Sequence, residues 1–377
     1  MGDVVPAPWG GLLVTSFDLC DRILRSRDWL VPDADWRLRQ GGSTRWSAAS
    51  SRMMGRTLPA LNPPEHTRAR RATGRVLDRG SLEALRPVIA ETTGGLLDRL
   101  AGGLASGEAD FGMLVSEELP VVTIGRWLGL PPSDYPLLRD LTHDQVFAQE
   151  LLPSASQLAL SDSATTELHA YFAALVRERR ADPGPDPVSA WIRLWDEAEP
   201  DRDTADEAVC HTALFVLLAA LETTSTLLST MVRLLLDHPR QWAWLRAHPE
   251  HVPGAVEEVL RYDAPTHVIS RVAAKDLTIA GTDVRADRTV HLMVGAANRD
   301  PARHTDPDVF DIRRKAAHLS FSGGIHYCLG APLARLEATT LLTALLERFP
   351  ALRPARPPEW APRVAFRRLL TLPVALP

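Results

Sequence analysis

One stretch limits the fold of this chain more than any other. From Asp203 to His238 the sequence reads as a single long helix: Asp203 or Thr204 can cap it, Asp206 and Glu207 suit its positive end, and His238-Pro239 stops it. At about 1.5 Å per residue it would measure about 50 Å, enough to cross a whole domain. Its middle is apolar on every face, as in a helix buried at the centre of a protein. The apolar run then breaks at Glu222-Thr223-Thr224-Ser225-Thr226, an acid and four hydroxyl residues that are mediocre helix formers. Two readings stand. Either the hydroxyls bond back to carbonyls one turn earlier while Glu222 reaches solvent, or the polar step serves chemistry.

The surrounding sequence predicts a mainly α protein with minor β sheets. Helical periodicity fills the first two thirds of the 377 residues, and short β-branched segments between Pro, Gly and Asp cluster after about Pro265 and again at the C-terminus. Ala181 to Val188 stops one helix and reads as a surface loop within one domain rather than a linker, because neither side has a sheet core of its own. The chain is 45% hydrophobic and 24% charged with a formal net charge of −5, which excludes disordered and fibrous classes and argues against a nucleic-acid tail or a polybasic membrane patch. Only two of its 42 basic residues, Lys275 and Lys315, are lysine. That bias carries no mechanistic weight. The longest apolar run, Ala213 to Leu221, is far short of the about 20 residues a bilayer requires, and residues 1–9 lack the features of a signal peptide. A cytoplasmic protein without membrane or nucleic-acid partners is expected.

Three cysteines are too few and too scattered for a disulfide framework, and Cys20 and Cys210 read as structural. Cys328 differs. Phe321-Ser-Gly-Gly-Ile-His-Tyr-Cys-Leu-Gly-Ala-Pro sets a glycine-rich turn before it and a helix after it, with Pro332 near that helix's first turn. A sulfur facing unpaired amides and the positive end of a helix dipole is favoured as thiolate, hence a metal ligand or a nucleophile. Zinc through His326 and Cys328 would want further ligands at a plausible spacing. A Cys-dependent hydrolase would need His326, two residues away on a tight turn, to form an attacking pair with a separate orienting acid. Ser322-Gly-Gly is a weak dinucleotide signal, without the strand and helix such a site needs.

This stretch resembles the cytochrome P450 family of haem-thiolate monooxygenases, in its soluble bacterial class. The family's F-G-x-G-x-H-x-C-x-G ligand loop is matched from Phe321 through His326 and Cys328, with Ser322 in place of one Gly. Glu257-Glu-Val-Leu-Arg261 supplies its E-x-x-R pair as Glu258 and Arg261, three apart on one helical face. Pro265-Thr-His-Val-Ile-Ser-Arg271 is similar to the strand whose Arg meets a haem propionate, and Asn298-Arg-Asp-Pro301 fits the segment that follows. The central helix reads Ala219-Ala-Leu-Glu-Thr-Thr against the family's A-G-x-[DE]-T-[TS], so Glu222 and Thr223 take the acid and alcohol positions while Ala220 replaces a frequent Gly. Asn62-Pro-Pro-Glu-His-Thr-Arg-Ala-Arg-Arg resembles D-P-P-x-H-x-x-x-R, placing His66 and Arg70 towards the propionates.

The resemblance runs from about Gly11 to the end, and implies one cytochrome P450 domain over residues 1–377. The first helix and first sheet strand are expected to be missing or cut short. It further implies haem b (iron protoporphyrin IX) with Cys328 as the axial ligand of its iron, and a cofactor pocket formed by His66, Arg70, Arg271, His326, Phe321, Ala219 and Ala220. Glu222 and Thr223 are expected to deliver protons during O2 activation. The expected reaction is hydroxylation, epoxidation or coupling of a bulky, largely apolar small molecule in bacterial natural-product biosynthesis. A haem-binding sensor or recruitment domain of the same fold is the alternative. No fused flavin or ferredoxin domain is expected, and electrons are expected from a separate ferredoxin and ferredoxin reductase serving a monomeric enzyme. Arg68, Arg71, Arg75 and Arg335 are expected to dock that donor. Substrate contacts are expected from Trp29 to Leu58, Leu141 to Leu160, the central helix, Thr266 to Ile269 and Phe366 to Leu370.

Overall fold

The computed structural model describes residues 2–315 and 317–377. The chain is 59% helical with small sheets, as the periodicity predicts. Its contacts divide it into two compact units, one of Met1–Trp29, Arg86–Pro120 and Thr223–Pro377, the other of Leu30–Leu85 and Val121–Glu222.

The first unit holds the sheets. In the main one, Val4–Pro6 pairs antiparallel with Leu12–Val14, which runs parallel to Thr289–Met293, itself antiparallel to Val268–Ala273. A three-residue strand at Val4–Pro6 therefore stands where the sequence led one to expect the first strand missing or cut short. One face of this sheet packs with helix Phe17–Arg25 around Val14, Phe17, Cys20, Leu24, Val290 and Leu292. Two long helices, Arg86–Leu104 and Ala331–Arg348, complete the frame with helix Val252–Tyr262.

The second unit is a helical assembly around a core that includes Leu128, Leu138, Leu168, Phe172, Trp191 and Leu214. Its helices begin where cap chemistry dictates. Ser154 and Gln157 form a reciprocal capping box at Ala155–Ala181, and Asp186 accepts from the Ser189 amide to start Pro187–Ala198. The Pro/Gly-rich break after Ala181 is thus a loop within this unit.

The central helix spans Arg202–Asp237, 36 residues. Its cap differs from the expected Asp203 or Thr204: Asp201 accepts from the Thr204 amide at 2.9 Å and from its hydroxyl at 2.5 Å, so the helix begins earlier. By length and composition this helix could cross a membrane, but its most apolar window is 72% buried inside the protein, the position of a core helix.

Candidate active site

Helix Val252–Tyr262 is the scaffold beneath the Cys328 loop, and its sequence explains why. Glu258 and Arg261 are both fully buried. Arg261 donates from Nε and Nη2 to the Glu258 carboxylate at 2.7 and 2.8 Å, and its remaining N–H groups reach the carbonyls of Asn298, Pro307 and Val309. Glu258 also accepts from the Asp311 amide at 3.0 Å. A planar fork with five donors makes this possible, and a solvated surface pair would need none of it. Immediately before Glu258, Glu257 accepts from Arg335 at 2.6 and 2.8 Å and lies 3.2 Å from His318 Nε2. Burial alone would raise the Glu257 carboxyl; Arg335 and His318 outweigh it and hold it down at about 2. Asn298 finishes the lattice by accepting from the Leu319 amide at 2.8 Å and donating to Ser320 at 2.9 Å, just ahead of Phe321.

The loop itself turns on two left-handed residues, Ser322 at φ +61° and Gly324 at φ +62°. A Cβ on Gly324 would collide with the Leu24 carbonyl, so the close approach to helix Phe17–Arg25 requires glycine. Ser322, standing where the family pattern has Gly, keeps the left-handed turn, and its buried hydroxyl has no hydrogen-bond partner. The Cys328 amide donates to the Phe321 carbonyl at 3.0 Å, closing the loop. Helix Ala331–Arg348 follows immediately, with Pro332 in its first turn. A Cβ on Gly330 would stand 3.9 Å from the Cys328 sulfur, so glycine keeps the sulfur's surroundings open.

Cys328 is the exposed cysteine; Cys20 and Cys210 are buried, and burial pushes both thiols up to about 12. Of the three, Cys328 is the one whose sulfur a bound group can reach. Arg271, in the strand Val268–Ala273 of the same unit, is buried, and burial lowers its guanidinium to about 10. Its hydrogen bond runs to the Ser270 carbonyl at 2.9 Å, and no carboxylate among the described residues is paired with it. A buried cation held by one carbonyl calls for an anion. The exposed soft sulfur and this guanidinium are a donor set that fits haem with a propionate.

Through the middle of the central helix, from residue 209 to 232, the partly exposed residues are Thr212, Phe215, Val216, Ala219, Ala220 and Thr223, a stripe at helical spacing, whereas Glu222, Thr224, Ser225 and Thr226 are buried. Glu222 does not reach solvent. One carboxylate oxygen lies 3.0 Å from Nδ1 of His143, on helix Tyr135–Gln145. Thr226 does not bond back one turn either; it donates to the Arg367 carbonyl at 2.8 Å. The bland reading of the polar step fails for both. His66 and Arg70 lie four apart on helix Glu65–Val76, where His66 is buried and burial, aided by the Arg70 charge, lowers its imidazole below the usual value. Asn62, which replaces the family's Asp, accepts from the Val31 amide and donates to the Val31 carbonyl and Asp33, an exchange that a carboxylate could not complete.

The segments expected at the substrate meet within each unit. Thr266 bridges Phe366, and the Arg367 amide donates to the Pro265 carbonyl. In the other unit Arg45 donates to the Leu151 carbonyl, tying residues 30–58 to residues 141–160. Arg37 and Arg45 both lie over the Trp46 ring, and burial lowers each to about 10. Sequence reading missed His143 and Glu257. A contact 79 residues away leaves no local trace for His143, and Glu257 was overlooked beside the matched Glu258.

Residues 144–362 match the sequence profile described as Cytochrome P450. Nocardicin C N-oxygenase of Nocardia uniformis subsp. tsuyamanensis is 38% identical over 323 residues, 84% of this chain and 78% of that protein. The 6-deoxyerythronolide B hydroxylase of Saccharopolyspora erythraea is 36% identical over 327 residues, 84% and 76% of the two chains. The crystal structure of P450BioI with hexadec-9Z-enoic acid ligated acyl carrier protein superposes with a TM-score of 0.89 at 32% identity, covering 97% of this chain and 92% of that one. Sequence profile, relatives and fold agree, and the chain belongs to the cytochrome P450 family.

Proposed function

We propose that this P450 monooxygenase oxidises a bulky, largely apolar natural-product scaffold, with Cys328 as the axial ligand of haem b and Arg271, His66 and Arg70 holding its propionates. Bound haem supplies reductive activation of O2, which a thiolate ligand drives towards O–O cleavage. The observation that carries the reading is Arg271, a buried guanidinium in need of an anion on the same unit as an exposed thiol at a helix start. Phe321 and His326 shape the sulfur side, while Ala219 and Ala220 lie on the half-open face of the central helix. Glu222 and Thr223 move protons there, and His143 orients the acid. Two relatives named for acting on nocardicin C and 6-deoxyerythronolide B support the substrate class.

Electrons arrive from a separate ferredoxin and its reductase. The exposed Arg71 and Arg75 line a groove of about 790 Å³ beside Leu194, Trp195 and Glu197, in which Arg68 is paired with Glu199 at 3.2 Å, and their positive charge suits an acidic donor. The chain works as a single catalytic domain and a monomer in the cytoplasm, where its two buried thiols stay reduced.

The test is spectroscopic. Purified protein reduced under carbon monoxide should show the red-shifted Soret band of thiolate ligation, and Cys328→His should lose it. Loss of the band in a Cys20 or Cys210 variant, with Cys328→Ser unaffected, would overturn the assignment.

A further inference from the structure

Where the central helix begins, a second set of metal-ligating side chains converges. Glu207, Cys210 and His211 fall at i, i+3 and i+4 on one helical face, and His169 faces them from helix Ala155–Ala181. His169 Nε2 lies 3.0 and 3.1 Å from the two Glu207 oxygens, and His211 Nε2 lies 3.3 Å from one of them. The donor atoms of His169, Glu207 and Cys210 all lie within 4.8 Å of one another. Tetrahedral zinc with bonds of about 2.0–2.3 Å holds its ligand atoms roughly 3.3–3.6 Å apart. Both imidazoles already stand near that spacing from Glu207, at 3.0 and 3.3 Å, and the Cys210 sulfur lies within 4.8 Å of His169 and Glu207, all on helices of 36 and 27 residues.

We propose that His169, Glu207, Cys210 and His211 form a binding site for zinc(II), separate from the residues assigned to oxygen chemistry, that fastens the central helix to its neighbour. The donor set selects the ion. Imidazole, thiolate and carboxylate together suit zinc, whereas magnesium and calcium want oxygen alone. Side-chain exposure of 36% at His169 and 41% at Glu207 gives the ion a way in, while Cys210 and His211 close the inner side. The Cys210 thiol now donates to the His169 carbonyl at 3.7 Å. On binding, its S–H bond breaks, an S–Zn bond forms, the proton passes to solvent, and both imidazoles bind neutral. Thiolate and carboxylate then balance the two positive charges of the ion. That balance matters because Arg56 and Arg177 place positive charge near His211 and Cys210.

Zinc titrated calorimetrically into the metal-stripped holoenzyme should give one tight site and raise the thermal midpoint, since a ligand that binds only the folded state stabilises it. Cys210→Ser and His169→Gln should each weaken binding at least tenfold and remove the thermal shift, with the reduced carbon monoxide spectrum unchanged as proof of folding. If Cys210→Ser does not fold, His169→Gln at its half-exposed position decides. Absence of binding by the parent protein, unaltered affinity in the folded variants, or an equal thermal shift with magnesium would each overturn the proposal.

Discussion

His143 Nδ1 lies 3.0 Å from the carboxylate of Glu222, the acid in the middle of the central helix. Both side chains are largely withdrawn from water, at 15% and 3% exposure, so the contact acts at low dielectric, where it fixes the carboxylate's orientation more firmly than a surface pair would. Replacing His143 with Leu removes that orientation. We expect unaltered carbon monoxide spectra, less product and more hydrogen peroxide per NAD(P)H consumed, and substantial rescue by His143→Gln, which keeps a hydrogen-bonding head. Equal coupling in the Leu variant would remove His143 from the proton route.

Thr223 follows Glu222 and lies on the half-open stripe with Ala219 and Ala220. A hydroxyl and an acid positioned for proton transfer contribute about 10²–10⁴-fold. Glu222→Gln should therefore slow turnover after oxygen binding by about a hundredfold, and Thr223→Ala should divert electrons to peroxide, while substrate-induced spin shifts and iron reduction stay near normal in both. Ala220→Gly should preserve or improve coupling. Unchanged product yield in Thr223→Ala would mean that protons travel by another route, and absence of turnover in every variant would favour a sensor or recruitment role.

Ser322 at φ +61° pays the left-handed penalty of a residue with a Cβ, and its buried hydroxyl lacks a partner. Glycine there relieves about 1 kcal/mol. For a chain of this size that is a rise of about 1–2 °C in the thermal midpoint of Ser322→Gly, read by loss of the haem spectrum. A lower midpoint would show that the hydroxyl is needed.

What the sequence disclosed and what it hid divide along a physical line. Local signals were legible: the glycine turn before Cys328, the i,i+3 spacing of Glu258 and Arg261, and the polar step at Glu222 are all patterns within one or two helical turns. Partners that meet only through the fold were not. His143 is 79 residues from Glu222, and Glu257 meets Arg335 across 78. The helix start slipped from Asp203 to Asp201 because several carboxylates and hydroxyls there compete as caps, and only packing chooses among them.

Glu258 and Arg261 are fully buried and joined to three carbonyls and an amide of the segment leading towards Cys328. Removing either charge strands the other at a cost of about 3–5 kcal/mol. Glu258→Gln and Arg261→Lys should each yield protein that retains little haem, the Lys variant because an ammonium cannot replace the planar fork. Normal haem content in Arg261→Lys would show that charge alone suffices.

Arg335 was expected to help dock the electron donor, but it is engaged with Glu257 at 2.6 and 2.8 Å, so reversing its charge tests folding as well as docking. Glu257 is held down at about 2 against an ordinary 4.5. A depressed folded-state value contributes stability above the unfolded value and loses it as pH falls through the folded one. The gap in thermal midpoint between parent and Glu257→Gln should therefore be constant above about pH 5 and close between about pH 4.5 and 2, as the carboxyl comes to resemble the amide. Arg335→Glu should lower the midpoint near neutral pH. The docking surface is tested instead at Arg71 and Arg75, which are exposed. Reversing both to Glu should slow reduction by an acidic ferredoxin severalfold at low salt, and the gap should shrink as salt screens the encounter. A rate unchanged at low salt, with the carbon monoxide spectrum intact, would move the donor to another face.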